Sequence, residues 1–229
     1  MRLDQFVSQA TGMSRKDAQR CIRGKHIIVG GHVITKAATH ITASDEVLLD
    51  FEPLALPGNI YIMLHKPAGL VSATEDASQP TVMDLVDHPH WHTLHIVGRL
   101  DKDTTGLLLL TNDGDWSHRI TSPHHHVAKT YLAKLAEPLS EVAAEQLRQG
   151  VMLNSEQQPT RPAQLEMLAD NQVRLTIHEG KYHQVKRMFA AVGNRVVGLH
   201  REQIGPWVLP DELEAGEWCL LEDAESLSL

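Results

Sequence analysis

Cysteine is scarce. Cys21 and Cys219 are the only two among 229 residues, and they lie far apart in sequence. Two thiols so placed form neither a disulfide framework nor a metal-ligand spacing, so a reducing cytosol is the expected compartment. Long apolar runs are also missing. No stretch approaches the roughly 18 apolar residues of a membrane span, and the first residues lack a signal-peptide core. Neither GxxxxGK followed by Ser or Thr nor GxGxxG occurs, which argues against a nucleotide cofactor. Three adjacent histidines, His124, His125 and His126, have no Cys, Asp or Glu nearby at ligand spacing. Neighbouring side chains point in different directions, so a polar loop is expected there and no metal.

Lysine and arginine are absent after Arg201, while eight acids follow it. The net charge is −8, yet residues 1–42 hold seven Lys/Arg against two Asp. A basic head, a basic patch around Lys181 to Arg201 and an acidic tail are hidden in the total. Such asymmetry favours an anionic partner at the head. The length permits one or two domains with a substantial core.

The head reads as two helices and a hairpin. Leu3, Phe6, Val7 and Ala10 recur on one helical face, and Gly12 ends that helix. Ser14 is a good N-cap, with Asp17 three residues on. In the second helix Ala18, Cys21 and Ile22 share one face and Lys16, Arg20 and Arg23 the other. Gly30-Gly31 between two apolar runs predicts a two-residue hairpin. Glu46 to Phe51 is expected to be a strand, and the Pro- and Gly-bearing residues 53–59 a linker between a domain over 1–52 and one over 60–229.

The second domain is expected to be mixed. Strands are predicted at 60–64, 95–97, 127–135 and 173–177, with helices at 82–86, 116–120 and 140–150. At its centre is Gly98-Arg99-Leu100-Asp101-Lys102-Asp103-Thr104-Thr105-Gly106, followed by Leu107 to Leu110 and the turn signal Thr111-Asn112-Asp113-Gly114. A two-carboxylate segment thus enters an apolar strand or helix start. Such carboxylates either turn the backbone or form a site. Lys129 and Tyr131 share a strand face by the period of two. Val185, Met188, Phe189 and Val192 mark a helix whose start gathers Lys181, Lys186 and Arg187. The macrodipole disfavours cations there, so an anion is expected to meet them: phosphate, Asp101, or both.

The opening Met1 to Phe6 and the Ser14-Arg15 helix start resemble the S4 RNA-binding module. Together with His65-Lys66-Pro67-Ala68-Gly69, the Gly98 to Gly114 block, Lys129-Thr130-Tyr131 and Glu179 through Phe189, the chain resembles the RsuA-type ribosomal pseudouridine synthases. The resemblance spans nearly the whole chain. Its form over Lys181 to Lys186 is closer to the small-subunit enzyme than to large-subunit relatives. One departure is His65, where members often carry Asn.

The resemblance implies an α+β protein: a small S4-like domain, then a mixed, mostly antiparallel sheet flanked by helices. It implies conversion of a uridine of 16S rRNA, at position 516, to pseudouridine. A 23S rRNA substrate and a non-catalytic S4 assembly factor are the alternatives. Asp101 becomes the catalytic carboxylate, which either attacks ribose C1′ or takes the 2′ proton. Lys186 becomes its counter-ion, with Arg187 as the alternative, and Tyr131 faces the uracil. Arg99 takes the place of the flipped base or a phosphate. Lys129, Lys181 and Arg187 are RNA contacts, as are Arg2, Arg15, Lys16, Arg20, Arg23 and Lys25 of the head. No cofactor is implied, because the isomerisation loses no group and changes no oxidation state. The expected partner is 16S rRNA in a partly assembled small subunit, bound by a cytoplasmic monomer.

Overall fold

The computed structural model describes residues 1–222. The chain divides into two compact units, one of residues 1–59 with 88–94, the other of 60–87 with the chain from His95 onward.

In the first unit, α1 (Leu3–Thr11) and α2 (Arg15–Arg23) accompany a sheet of order β2-β1-β3-β4. Its strands are β1 (Ile27–Val29), β2 (His32–Val33), β3 (Val47–Leu49) and β4 (Glu52–Leu54). Leu3, Val7, Ala18, Ile22, Ile27, Ile41 and Val47 form the core. Gly12, at φ 77°, ends α1. The Ser14 hydroxyl accepts the Asp17 N–H at 3.2 Å and starts α2. Gly30 and Gly31, both at positive φ, close the β1–β2 hairpin.

The strand expected over Glu46 to Phe51 is shorter and turns back on itself. Asp50 and Phe51 take positive φ, and β4 returns with Leu48 opposite Pro53 and Val47 opposite Leu54. Pro53 and Leu54, read as linker, are thus ladder residues. Proline can sit there because β4 is the sheet edge, where no ladder donor is needed from it. Residues 88–94 also belong to this unit, with the His92 ring Nε2 3.1 Å from the Gln9 carbonyl.

The second unit is built from β5 (Tyr61–Lys66), β6 (His95–Val97), β7 (Thr105–Thr111), α3 (Gly114–Thr121) and β8 (Lys129–Leu135). Then come α4 (Glu141–Gln149), β9 (Gln164–Ala169), β10 (Gln172–Ile177), α5 (Gln184–Ala191), β11 (Val196–Ile204), β12 (Trp207–Val208) and β13 (Trp218–Leu220). The strands form one sheet of order β13-β5-β7-β11-β8-β10-β9, with β12 on β11 and β6 on β7. Only the β7–β11 pairing is parallel among the described strands.

The four leucines of β7 are fully buried. The run is a strand rather than a helix start because β7 is paired on both edges and covered on both faces, which demands apolar side chains throughout. Each such leucine contributes about 1.5–3 kcal/mol of burial. Leu107 and Leu109 pack with Trp116, Ile120 and Trp207. A second cluster joins Ala144 and Leu147 of α4 and Met188 and Phe189 of α5 to Leu135, Val173 and Leu175 of the sheet.

One edge of β7 is shared: β11 pairs with Thr105 and Gly106, and β6 with Leu109 to Thr111. The Arg201 side chain closes the gap between them. Its guanidinium donates to the carbonyls of Leu107 (2.8 Å) and Gly98 (3.2 Å) and is 2% exposed. Read from sequence as part of a surface basic patch, Arg201 is a buried element of the sheet. Gly106 permits the close approach: it has φ 108°, and a Cβ there would lie 2.3 Å from the Arg201 carbonyl oxygen.

Candidate active site

The segment from Gly98 to Thr104 links β6 to β7 and carries Asp101 into a cleft of about 200 Å³. The segment is fastened from below. The Ser72 hydroxyl donates to the Leu100 carbonyl at 2.8 Å and accepts the Leu100 N–H at 3.1 Å. The Lys66 ammonium, fully buried, donates to the carbonyls of Pro67 (3.0 Å), Asp101 (3.1 Å), Lys102 (3.3 Å) and Thr104 (2.8 Å). Four carbonyl dipoles converge on one cation that has no ion pair among the described residues. Burial lowers the Lys66 pKa to about 8, against the opposing pull of Asp103 and Asp101.

Asp101 is held at both oxygens. Its Oδ2 is 2.8 Å from Lys186 Nζ, and its Oδ1 is 3.2 Å from His183 Nε2. Lys186 also meets Asp103 at 2.7 Å. The cation expected to sit badly near the start of α5 is therefore balanced by two carboxylates. Burial works against the Lys186 charge, but its hydrogen bonds to Asp101 and Asp103 outweigh that and raise its pKa. The Lys186 hydrogen bond likewise lowers the pKa of Asp103. Asp103 does more than shape a turn, though its 75% exposure leaves its pair the weaker one.

Tyr131 lines the same cleft, with the Arg201 guanidinium 5.9 Å from its ring centroid. Lys129, on the same face of β8, points its ammonium at the Ile120 carbonyl (3.3 Å). Burial, aided by the Arg201 charge, lowers the Lys129 pKa to about 8. Thr104 is 1% exposed and also lines the cleft, and its hydroxyl has no hydrogen-bond partner among the described residues. Arg99 is exposed at the rim and has no ion pair among the described residues.

The other cations read from sequence divide by their partners. Lys181 and Arg187 share Glu156, at 3.1 and 3.3 Å, and Arg187 also donates to the carbonyls of Tyr182 and Asn154. Of the two candidates for Asp101, Lys186 is the one in contact. In the head, Arg2 (2.8 Å) and Arg15 (3.4 Å) converge on the buried Asp4, and Arg20 pairs with Asp17 at 2.8 Å. The Arg2 hydrogen bond holds Asp4 far below the usual carboxylate range. Of the head cations expected to meet RNA, Lys16, Arg23 and Lys25 have no ion pair among the described residues and remain open.

Sequence reasoning missed four residues of this site. His183 stood beside Lys186 in the same motif and could have been found there. Lys66 stood in the Lys-Pro turn, whose role was unassigned. Glu156 and Arg201 carried no local signal. Among the described residues, no group of three or more His, Cys, Asp or Glu is placed to hold a metal ion. No helix among them is long and apolar enough to cross a membrane.

The chain is similar to known proteins over its whole length. Residues 60–191 match the RNA pseudouridylate synthase family, and residues 1–47 match the S4 domain. A protein of Escherichia coli (strain K12) named ribosomal small subunit pseudouridine synthase A is 51% identical over 100% of both chains. Its namesake from Yersinia pestis is 50% identical over 100% of this chain and 98% of its own. A crystal structure of a pseudouridylate synthase superposes with a TM-score of 0.71 at 47% identity, covering 98% of this chain and 97% of that one. The chain, an isomerase with an S4 domain at its N-terminus, belongs to the RNA pseudouridylate synthase family.

Proposed function

We propose that the protein converts one uridine of 16S rRNA, at position 516, to pseudouridine, with Asp101 as the reacting carboxylate. The observation that carries this reading is the Asp101–Lys186 pair at 2.8 Å on the wall of a cleft that Tyr131 also lines. The reaction breaks the N1–C1′ bond, turns the uracil and joins C5 to C1′. An ionised carboxylate beside the sugar can attack C1′, or remove the 2′ proton and begin an elimination. Lys186 places a positive charge 2.8 Å from the carboxylate, as its counter-ion.

The cleft receives a base that has left its helix. Tyr131 packs on the uracil, and Arg99 meets the strand at the rim. Lys16, Arg23 and Lys25 supply phosphate contacts from the head, which add affinity and salt dependence rather than sequence choice. Arg2, Arg15 and Arg20 lie beside them and act with part of their charge already balanced. Lys181 and Arg187 stiffen the wall of the cleft through Glu156 before they meet RNA. The protein acts as a cytoplasmic monomer on a partly assembled small subunit.

Pseudouridine mapping of rRNA from a deletion strain, by carbodiimide modification and primer extension, tests the substrate. Loss of the single site at 516 supports it. A missing 23S site would move the substrate to the large subunit, and an unchanged map would leave an RNA-binding protein without this activity.

A further inference from the structure

A second cleft, of about 430 Å³, adjoins the first. The two share a wall formed by Arg99, Leu100, Asp101, Gly180, Lys181 and His183. Beyond that wall the lining changes character. Tyr182 stands 72% exposed, its ring stacked on His183 with centroids 3.8 Å apart and planes 22° from parallel. Lys102 also lines this cleft, its ammonium engaged only by the Gln79 side chain at 2.9 Å among the described side-chain contacts.

An exposed tyrosine has an apolar face to cover, and the ring contact Tyr182 makes among the described residues is the stack on His183. Its position is fixed from behind. His183 holds a positive φ of 45°, a costly conformation for a side chain with a Cβ. Arg187 donates to the Tyr182 carbonyl at 3.0 Å and is itself held by Glu156. The ring is thus a braced platform. The one acid of this cleft other than Asp101 is Asp76, whose carboxylate accepts the N–H groups of Ser78 and Gln79 and the Ser78 hydroxyl. Arg99 and Lys102 therefore leave the cleft favourable to an anion.

We infer that this second cleft binds the nucleotide next to the target uridine in the same strand. Its base stacks on the outer face of Tyr182, and its phosphate lies between Arg99 and Lys102. The inference rests on the reading of Asp101 given above. Asp101 belongs to both walls, so a ribose placed against it has its phosphodiester running directly into the second cleft. Base–aromatic stacking accepts any base, so the subsite holds the strand without choosing sequence.

The test uses the full chain and a 16S rRNA fragment carrying the target uridine, intact or with an abasic nucleotide immediately 5′ or 3′ of it. Tyr182→Ala is expected to raise KM about ten-fold with kcat nearly unchanged, and Tyr182→Phe to restore KM. An abasic nucleotide on one side should raise the wild-type KM by a similar factor and cost Tyr182→Ala nothing further. An unchanged KM in Tyr182→Ala, or equal abasic penalties in both proteins, would overturn the subsite. If wild-type protein binds the fragment but does not turn it over, the reading of its substrate fails separately. The same comparison of Kd values then decides the subsite alone.

Discussion

The buried ammonium of Lys66 lies 3.1 Å from the main-chain carbonyl of Asp101. The same cation gathers three further carbonyls, so the backbone that aims the carboxylate is built around one lysine. Replacing it with methionine keeps the volume but leaves carbonyls without a donor, each costing about 1–3 kcal/mol. Lys66→Met is therefore expected to lower kcat by about ten-fold or more, with a falling melting temperature and a smaller change in KM. Steady-state kinetics and thermal unfolding on one preparation check this.

Lys129 gives a pH-dependent prediction. Burial brings its pKa to about 8, below the ordinary 10.5, so between these values the unfolded chain binds more protons than the folded one. The cost of its charge is full below pH 8, shrinks as pH rises toward 10.5 and vanishes above it. The stability of Lys129→Met relative to wild type should accordingly be most favourable near pH 7 and decline across that window. Denaturant unfolding at a series of pH values measures the difference, and a flat difference would place Lys129 in solvent.

Gly106→Ala tests the shared edge of β7. A methyl group there would press on the Arg201 backbone at 2.3 Å in a conformation with φ 108°. Strain and displacement together should cost about 3 kcal/mol or more. The substitution should also reduce turnover, because the displaced Arg201 contacts the Gly98 carbonyl at the start of the Asp101 segment. Unfolding and activity measurements should fall together.

What could be read in advance follows local chemistry. Ser14, Gly12 and Gly30-Gly31 announce their caps and turn because each acts on its own neighbours. Leu107 to Leu110 announces burial, though the run alone leaves strand and helix start open. The strand β11 stayed hidden because His200, Arg201, Glu202 and Gln203 look like surface. Arg201 is buried only because carbonyls far away in sequence receive it. Pro53 looks like a break until the edge position of β4 is known. At the site, the Asp101–Lys186 pair was legible from the resemblance. The Glu156 clamp was not, since it joins a loop to α5 through tertiary contact alone.

The reacting carboxylate is proposed to be Asp101, with Lys186 as its counter-ion. Tritium release from RNA labelled at uridine C5 counts turnover directly, because the new C5–C1′ bond displaces that hydrogen. Asp101→Asn keeps the shape and removes the charge. Asp101→Asn is expected to give no release above background while RNA binding stays within about three-fold of wild type. Release at the wild-type rate by Asp101→Asn would contradict that role.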